Sequence, residues 1–437
     1  MPHNLGIRVA SSRLASTFDE SCSWGSTPDG GMNRLSLNND DKRVREWLIE
    51  QCKQLGCSVK VDQMGNIFAI RPGKNNSIPP IGMGSHLDTQ PAGGKYDGIV
   101  GVLSALEVLR TLHDNQVETY APVALIDWTN EEGARFPPAM LSSGVWGGAF
   151  TLEHGHSRSD ASGNTVKSEL ERIGFLGDVP CSYEANPLSA HFEIHIEQGP
   201  ALEAENLRIG VVTGVQAMNW YNIVLRGREQ HCGTTPMNMR ADTLLCAAKM
   251  IQSINQQSLA LPGARASVAV INSSPQSINT LSGRVQFNIG ARASSDALLA
   301  TLDVNLEKAC KEVVEDSVRL DESIMGKSGE GGVKMEVWEK IWECPKTVFD
   351  ERAVSMVRES AREVEGGRFK DMVSGAGHDS VYTARKVPTA MIFIRCKAGI
   401  SHNPAEFSKQ EDIDAGANVL LGALLRYDDY LKEKTAA

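Results

Sequence analysis

Residues 80–132 read PIGMGSHLDTQPAGGKYDGIVGVLSALEVLRTLHDNQVETYAPVALIDWTNEE, and this stretch decides the architecture. Pro80 to Leu87 is an apolar run of buried-strand length, and Ile99 to Leu112 carries apolar residues at helical spacing. Val123 to Trp128 is a second buried-strand run. Strand, helix and strand in succession predict a parallel crossover unit, which carries ligands at the carboxyl ends of its strands. His86, Asp97, Glu131 and Glu132 all stand at such ends or in the loops just past them.

Upstream, Val44, Trp47, Leu48, Cys52 and Leu55 fall on one face of a helix from Lys42 to Gly56. Strands are expected at Val59–Val61 and Asn66–Arg71, either side of a Gly65 turn. Downstream, Phe192, Ile194 and Ile196 alternate with His191, Glu193, His195 and Glu197, the period of a half-buried strand with His195 on its polar face. Past Gly214 the character changes. Strands at Trp220–Arg226, Ala266–Ile271 and Arg284–Arg292 and helices at Ala241–Ser258 and Asp296–Val318 make a separate four-stranded sheet with two helices, one strand remaining to be placed. Met325 to Gly332 reads as a loop. The first pattern resumes with a helix at Asp350–Val364, a strand at Thr389–Arg395 and a last helix at Gln410–Leu431. The expected fold is therefore α/β: a discontinuous catalytic domain (1–215 and 341–437) with a mixed, largely parallel sheet, interrupted by a smaller α+β lid or dimerisation domain (216–340).

Composition narrows the function. At 437 residues, 41% hydrophobic and 22% charged, the chain has the balance of a soluble globular enzyme. A net charge of −10 without a Lys/Arg block argues against nucleic acid or anionic membrane as partner. Nine cysteines with no CxxC pair read as reduced, mostly buried thiols of an intracellular protein. The expected location is the cytoplasm, while Arg8 and Arg13 among serines leave organellar targeting open.

His86, Asp97, Glu131, Glu132, His195 and His402 are spaced so that the chain can close them into a two-metal hydrolytic site. Two divalent cations can share one carboxylate and one water, and their combined charge lowers that water's pKa toward neutrality. A mixed His, Asp and Glu shell suits zinc. One carboxylate must stay off the metal to move the proton, and the adjacent Glu131 and Glu132 offer that division of labour. Asp88, two residues after His86, is placed to accept the other imidazole N–H and fix its tautomer. Arg292 ends a strand with Arg284, Gln286 and Asn288 on its polar face, and its guanidinium can clamp a carboxylate with two parallel hydrogen bonds.

The motifs GSHLDT, GGxYDG, TNEEGxRF, HIEQGP, GxxxHxGTTPM, GAGHDS and GISHNPxE occur in this order between Gly84 and Glu406, within a likeness that runs from about Gly30 to the last helix. With them the chain resembles the hydantoinase/carbamoylase branch of the zinc aminoacylase and carboxypeptidase superfamily, most closely the fungal β-alanine synthase (β-ureidopropionase) and N-carbamoyl-L-amino acid hydrolase type. The resemblance implies that His86 and His402 serve different metals, Asp97 bridges both, and Glu132 and His195 complete the shells. It implies Zn²⁺ foremost, with Mn²⁺, Co²⁺ or Ni²⁺ as alternatives. Glu131 would be the general base and His231 the catalytic donor to the oxyanion. Gln198, His231, Asn279, Arg292, Gly377 and His378 would hold substrate, with His231 and Asn279 reaching the site from the partner subunit of a homodimer. Cys232 departs from the small residue usual after the histidine.

The implied activity is hydrolysis of the ureido C–N bond of N-carbamoyl-β-alanine or N-carbamoyl-L-α-amino acids to amino acid, ammonia and CO₂. Its competitors are an allantoate or ureidoglycolate-type amidohydrolase, a metallopeptidase or aminoacylase, an amide hydrolase of secondary metabolism, and a non-catalytic metal-binding protein. His195, Gln198 and Arg292 speak against the peptidase, and the retained Glu131 against the non-catalytic reading.

Overall fold

The computed structural model describes residues 6–325 and 332–436, so the Gly/Ser-rich stretch expected as a loop lies almost wholly outside them. The chain divides into two compact units, Met1–Val215 with Val348–Ala437, and Gln216–Thr347.

The strands of the first unit up to this division are β1 (Ser58–Val61), β2 (Ile67–Arg71), β3 (Ile81–Ser85), β4 (Val123–Asp127), β5 (Ala190–Ile196) and β6 (Ile209–Val215). The second unit holds β7 (Ala217–Arg226), β8 (Ala264–Ser274), β9 (Arg284–Ala293) and β10 (Lys334–Cys344). The first unit then resumes around β11 (Thr347–Val348), β12 (Phe369–Ser374) and β13 (Thr389–Ile394).

The large sheet runs β1-β2-β4-β3-β5-β13-β6-β11, with β12 also on β6. Its centre is parallel: β3 pairs β4 and β5, and β13 pairs β5, all in parallel. Helix Ile99–Asp114 makes the crossover from β3 to β4. β3 and β4 are buried along their whole length, as both-faced packing in a parallel sheet requires. The core over one end joins Phe68, Trp128 and Trp146, with Phe68–Trp128 and Trp128–Trp146 both edge to face.

β5 corrects the sequence reading. It is buried on both faces, so the alternation of His191, Glu193 and His195 marks a polar interior, not a solvent face. Glu193 accepts from Ser85 Oγ at 2.7 Å and Ser380 Oγ at 2.5 Å, and His191 Nε2 lies 3.5 Å from Trp128 Nε1.

The second unit is a four-stranded antiparallel sheet, β10-β7-β9-β8, whose missing strand is β10. One face of β9, through Val285, Phe287, Ile289, Ala291 and Ala293, packs into a core with helices Thr243–Leu259 and Asp296–Met325. β10 stays paired to β7 as far as Cys344, so the far boundary falls between Thr347 and Val348 and not at 340/341.

Helix Ser11–Ser21, absent from the sequence reading, is tied down by Arg13, which donates to the buried Glu107. All nine cysteines are free thiols, and all but Cys232 are buried. Among the described residues no helix is long and apolar enough to cross a membrane.

Candidate metal centre

Two clusters of possible ligands share one residue: His86, Asp97 and His195 form the first, and Asp97, Glu132 and His402 the second. Asp97 turns a different oxygen to each. Its Oδ1 lies 3.0 Å from His195 Nε2 and 3.8 Å from His86 Nε2, while its Oδ2 lies 3.2 Å from His402 Nε2. Glu132 Oε2 is 3.4 Å from the same His402 nitrogen. His86 follows β3, His195 stands near the end of β5 and the two glutamates follow β4, so the parallel strands deliver them to one edge of the sheet.

The donor set fits divalent cations. His86 Nδ1 donates to the Asp88 carbonyl at 2.9 Å, and His195 Nδ1 to the Ile196 carbonyl at 2.9 Å, which turns both Nε2 atoms toward the carboxylates. Burial pushes His86 down to about 4, so near neutrality its Nε2 presents a lone pair to Asp97 and to Glu131 Oε2, 3.5 Å away. A lone pair facing the ionised Asp97 carboxylate is repulsive until a cation lies between them. Burial also opposes charge on His195 and His402, but the hydrogen bond and attraction of Asp97 outweigh it and raise each to about 9. Asp97 is itself held well below the usual carboxylate range, its burial outweighed by those same partners. Bound metal would displace both protons, so affinity for it falls as pH drops.

Glu131 belongs to neither cluster. Burial, followed by the charges of Asp379, Glu132, Asp97 and Asp88, pushes its carboxyl well above the ordinary value. Such a shift suits a group that both takes and returns a proton near neutral pH.

The supporting contacts alter one expectation and add residues that the sequence reading missed. The carboxylate of Asp88 does not meet the His86 ring; the backbone carbonyl does that. The carboxylate instead accepts from the backbone N–H groups of Glu131 at 3.2 Å and Glu132 at 3.3 Å, because the tight turn after β4 leaves both amides without ladder partners. Gln90 Nε2 donates to Glu132 Oε2 at 2.9 Å. Ser401 Oγ lies 2.8 Å from Asp97 Oδ2. Gln90 directly follows GSHLDT and Ser401 stands inside GISHNPxE, a signal too local to reveal partners far away in the chain.

Three site loops hold a non-glycine residue in the left-handed region: Asn130 (φ 60°), Gln198 (φ 55°) and His402 (φ 54°). Strained backbone next to Glu131 and at a ligand is the mark of pre-organised geometry. Gly98 is stricter still, with φ 65° and a position where a Cβ would come within 2.2 Å of the His86 ring. We expect Gly98→Ala to weaken metal binding at least about tenfold, the scale seen when support of a ligand is lost. Metal content after dialysis, beside a circular dichroism spectrum of unchanged helix content, checks this.

Of the residues expected to hold substrate, Gln198 lies at the clusters. Its Nε2 donates to Asp97 Oδ2 at 2.7 Å and lies 3.0 Å from Ser401 Oγ. His378 is buried, packs edge to face on His195 at 4.5 Å between centroids, and meets Ser374 Oγ at 2.9 Å, with Gly377 half-buried beside it.

His231, Asn279 and Arg292 belong to the second unit. His231 Nδ1 accepts from the backbone N–H groups of Gly233 at 3.0 Å and Thr234 at 3.2 Å, which leaves the ring proton on Nε2; the Asn279 side-chain amide lies 3.4 Å from Nε2 and accepts that proton with its oxygen turned to the ring. Both residues are exposed. Arg292 is half-buried on β9 and sits directly across from Arg265 of β8. Burial first and the Arg265 charge second lower its pKa. Arg265 was not anticipated, because the pairing of β8 with β9 is not readable from either strand alone.

The family model of peptidases M20/M25/M40 matches residues 82–426, a span that contains every cluster residue above. An N-carbamoyl-L-amino-acid amidohydrolase of Rhizobium meliloti is 41% identical over 421 residues, 96% of either chain. An allantoate amidohydrolase of Bacillus subtilis is 30% identical over 404 residues, 92% of this chain and 94% of the other. Among solved structures, a hydantoinase/carbamoylase family amidase of Burkholderia vietnamiensis has a TM-score of 0.89 at 43% identity, over 96% of this chain and 97% of that one. The chain therefore belongs to the M20/M25/M40 peptidase family, beside its hydantoinase/carbamoylase amidases.

Proposed function

We propose that this protein is a metal-dependent amidohydrolase that cleaves the ureido C–N bond of N-carbamoyl-L-amino acids, yielding the amino acid, ammonia and CO₂. The observation that carries the reading is the pair of ligand clusters sharing Asp97, with Glu131 beside them and in neither. The relatives reported above carry N-carbamoyl-L-amino-acid and allantoate names, so N-carbamoyl-L-amino acids stand first and N-carbamoyl-β-alanine and allantoate are the alternatives.

His86, Asp97 and His195 would hold one divalent cation, and Asp97, Glu132 and His402 the other, Zn²⁺ being the choice their nitrogen and oxygen donors favour. When bound, such ions supply Lewis acidity toward the ureido oxygen and make water available as a nucleophile at neutral pH. Glu131 takes the proton from the attacking water and delivers it to the departing nitrogen. His231, with its proton on Nε2, donates to the oxygen that becomes anionic as the carbonyl carbon turns tetrahedral. Arg292 clamps the substrate carboxylate, and Asn279, Gln198, Gly377 and His378 fix the ureido group.

We place the protein as a homodimer in which His231 and Asn279 serve the partner's metal centre. Exposed Val270 and Ile271 on the edge strand β8, and exposed Leu244, Leu245 and Leu259 on helix Thr243–Leu259, support the second unit as the contact surface.

The test is ammonia release from N-carbamoyl-L-α-amino acids, N-carbamoyl-β-alanine and allantoate, with free-amine release from N-acetyl amino acids and dipeptides in parallel. We expect release from a carbamoyl compound that stops on chelation and returns with Zn²⁺ or Mn²⁺. Silence on every ureide alongside dipeptide cleavage would move the protein to the peptidase reading.

A further inference from the structure

Asp97 serves two clusters at once, and although Gln198 and Ser401 meet its carboxylate, those contacts leave the main chain of its loop to be fixed by something else. The restraint comes from 406, a glutamate in the loop that carries His402. Glu406 is buried, and its Oε1 accepts from the backbone N–H groups of Tyr96 at 2.9 Å and Asp97 at 3.0 Å. Its Oε2 lies 3.0 Å from Ser401 Oγ, and that same hydroxyl is 2.8 Å from Asp97 Oδ2. One carboxylate thus grips the main chain of Asp97 directly, and the Ser401 hydroxyl, whose single proton serves one carboxylate at a time, stands between the two side chains.

The surroundings are cut to admit it. At Gly94 a Cβ would stand 2.2 Å from the Glu406 carboxyl carbon, so any other residue there would drive the carboxylate out. At Gly31 a Cβ would come within 2.7 Å of the Gly93 carbonyl and 2.8 Å of Pro404, so a third segment closes over both loops. Tyr96 packs edge to face on Phe407 at 5.9 Å, fixing the same two loops from the other side.

We propose that Glu406 is a positioning residue for the bridging ligand: it locks the Asp97 loop to the His402 loop, so that both cation sites form or fail together. The proposal rests on the metal-centre reading and on no assignment of substrate.

The experiment compares the wild-type chain with Glu406→Ala, Glu406→Asp and Asp428→Ala, reading Zn²⁺ stoichiometry and affinity in competition with a chromophoric chelator, and Tm for each. Asp428 is the control because it too is a buried carboxylate accepting two successive backbone N–H groups, of Tyr120 at 2.8 Å and Ala121 at 2.7 Å, away from the clusters. Both Glu406 variants are expected to lose affinity about 10- to 100-fold at both cation sites. Aspartate fails because, one methylene shorter, it cannot reach the amides and Ser401 together. Asp428→Ala is expected to lower Tm while binding two ions as tightly as wild type.

Wild-type affinity in Glu406→Ala overturns the proposal, as does an equal loss in Asp428→Ala or weakening at one cation site alone. If the alanine variant does not fold, wild-type affinity in Glu406→Asp does the same. A wild-type chain that takes up no metal defeats the metal-centre reading itself, and the proposal with it.

Discussion

Glu131→Gln should retain both cations and lose about 10³-fold or more in kcat, since a sole general base is worth roughly 10²–10⁴. Glutamine matches glutamate in size, and the Glu131 backbone N–H keeps its bond to Asp88, so the turn that also carries Glu132 stays in place. What the change removes is the ability to accept a proton. The site gives that ability to no obvious substitute. Asp97 and Glu132 lie in the ligand clusters, and Asp379 is engaged with the Ser143 hydroxyl. Burial and the neighbouring acids already press Glu131 toward its neutral form, so an uncharged side chain of the same size is expected to cost little stability. The measurement is kcat at matched metal content. More than a few per cent of the wild-type rate in a variant with full metal would end the assignment of Glu131 as base.

The parts of this site that the sequence exposes are those where local pattern and chemistry coincide. The runs before His86 and after Asp97 announce a strand and a helix because periodicity alone separates them, and the glycines around the acids announce a turn. β5 shows where that logic fails. Alternating polar residues normally mean a solvent face, but Glu193 is satisfied inside the protein by Ser85 and Ser380, two hydroxyls far off in the chain. Asp88 fails in a related way. Its spacing from His86 is right for a contact with the ring, yet backbone geometry gives that contact to the carbonyl and frees the carboxylate for the Glu131–Glu132 turn. Ser401 and Glu406 stand inside the GISHNPxE motif and Gln90 directly after GSHLDT, yet neither they nor Arg265 can be given a task from the letters alone. Each acts on a residue brought near only by tertiary folding, and a single chain of letters carries no pairing information. The inserted unit, expected to end at 340, runs on to Thr347 as a compact unit because backbone pairing of β10 to β7 continues to Cys344.

Mixing Glu131→Gln subunits with His231→Ala subunits should restore activity that neither homodimer has. If each metal centre takes its Nε2–H donor from the partner, a hybrid dimer holds one centre with neither group and one with both. A statistical 1:1 mixture then recovers about a quarter of wild-type activity, since half of the dimers are hybrid and half of their sites are whole. The premise draws on the exposure of His231, whose Nδ1 is committed to Gly233 and Thr234 and whose Nε2 faces outward beside the equally exposed Asn279 amide. Each parent alone is expected to be nearly silent, the glutamine variant for want of a base and the alanine variant for want of a donor, a loss of about 10²–10³-fold on the oxyanion scale. Subunits have to be exchanged by partial unfolding or co-expressed with two tags, so that the hybrid is purified and its composition verified. Activity in the isolated hybrid at about half the wild-type level per dimer supports completion of the site in trans. A verified hybrid no more active than its parents means that base and donor are supplied by one chain, and the exposed residues of β8 and helix Thr243–Leu259 then lose their connection to catalysis.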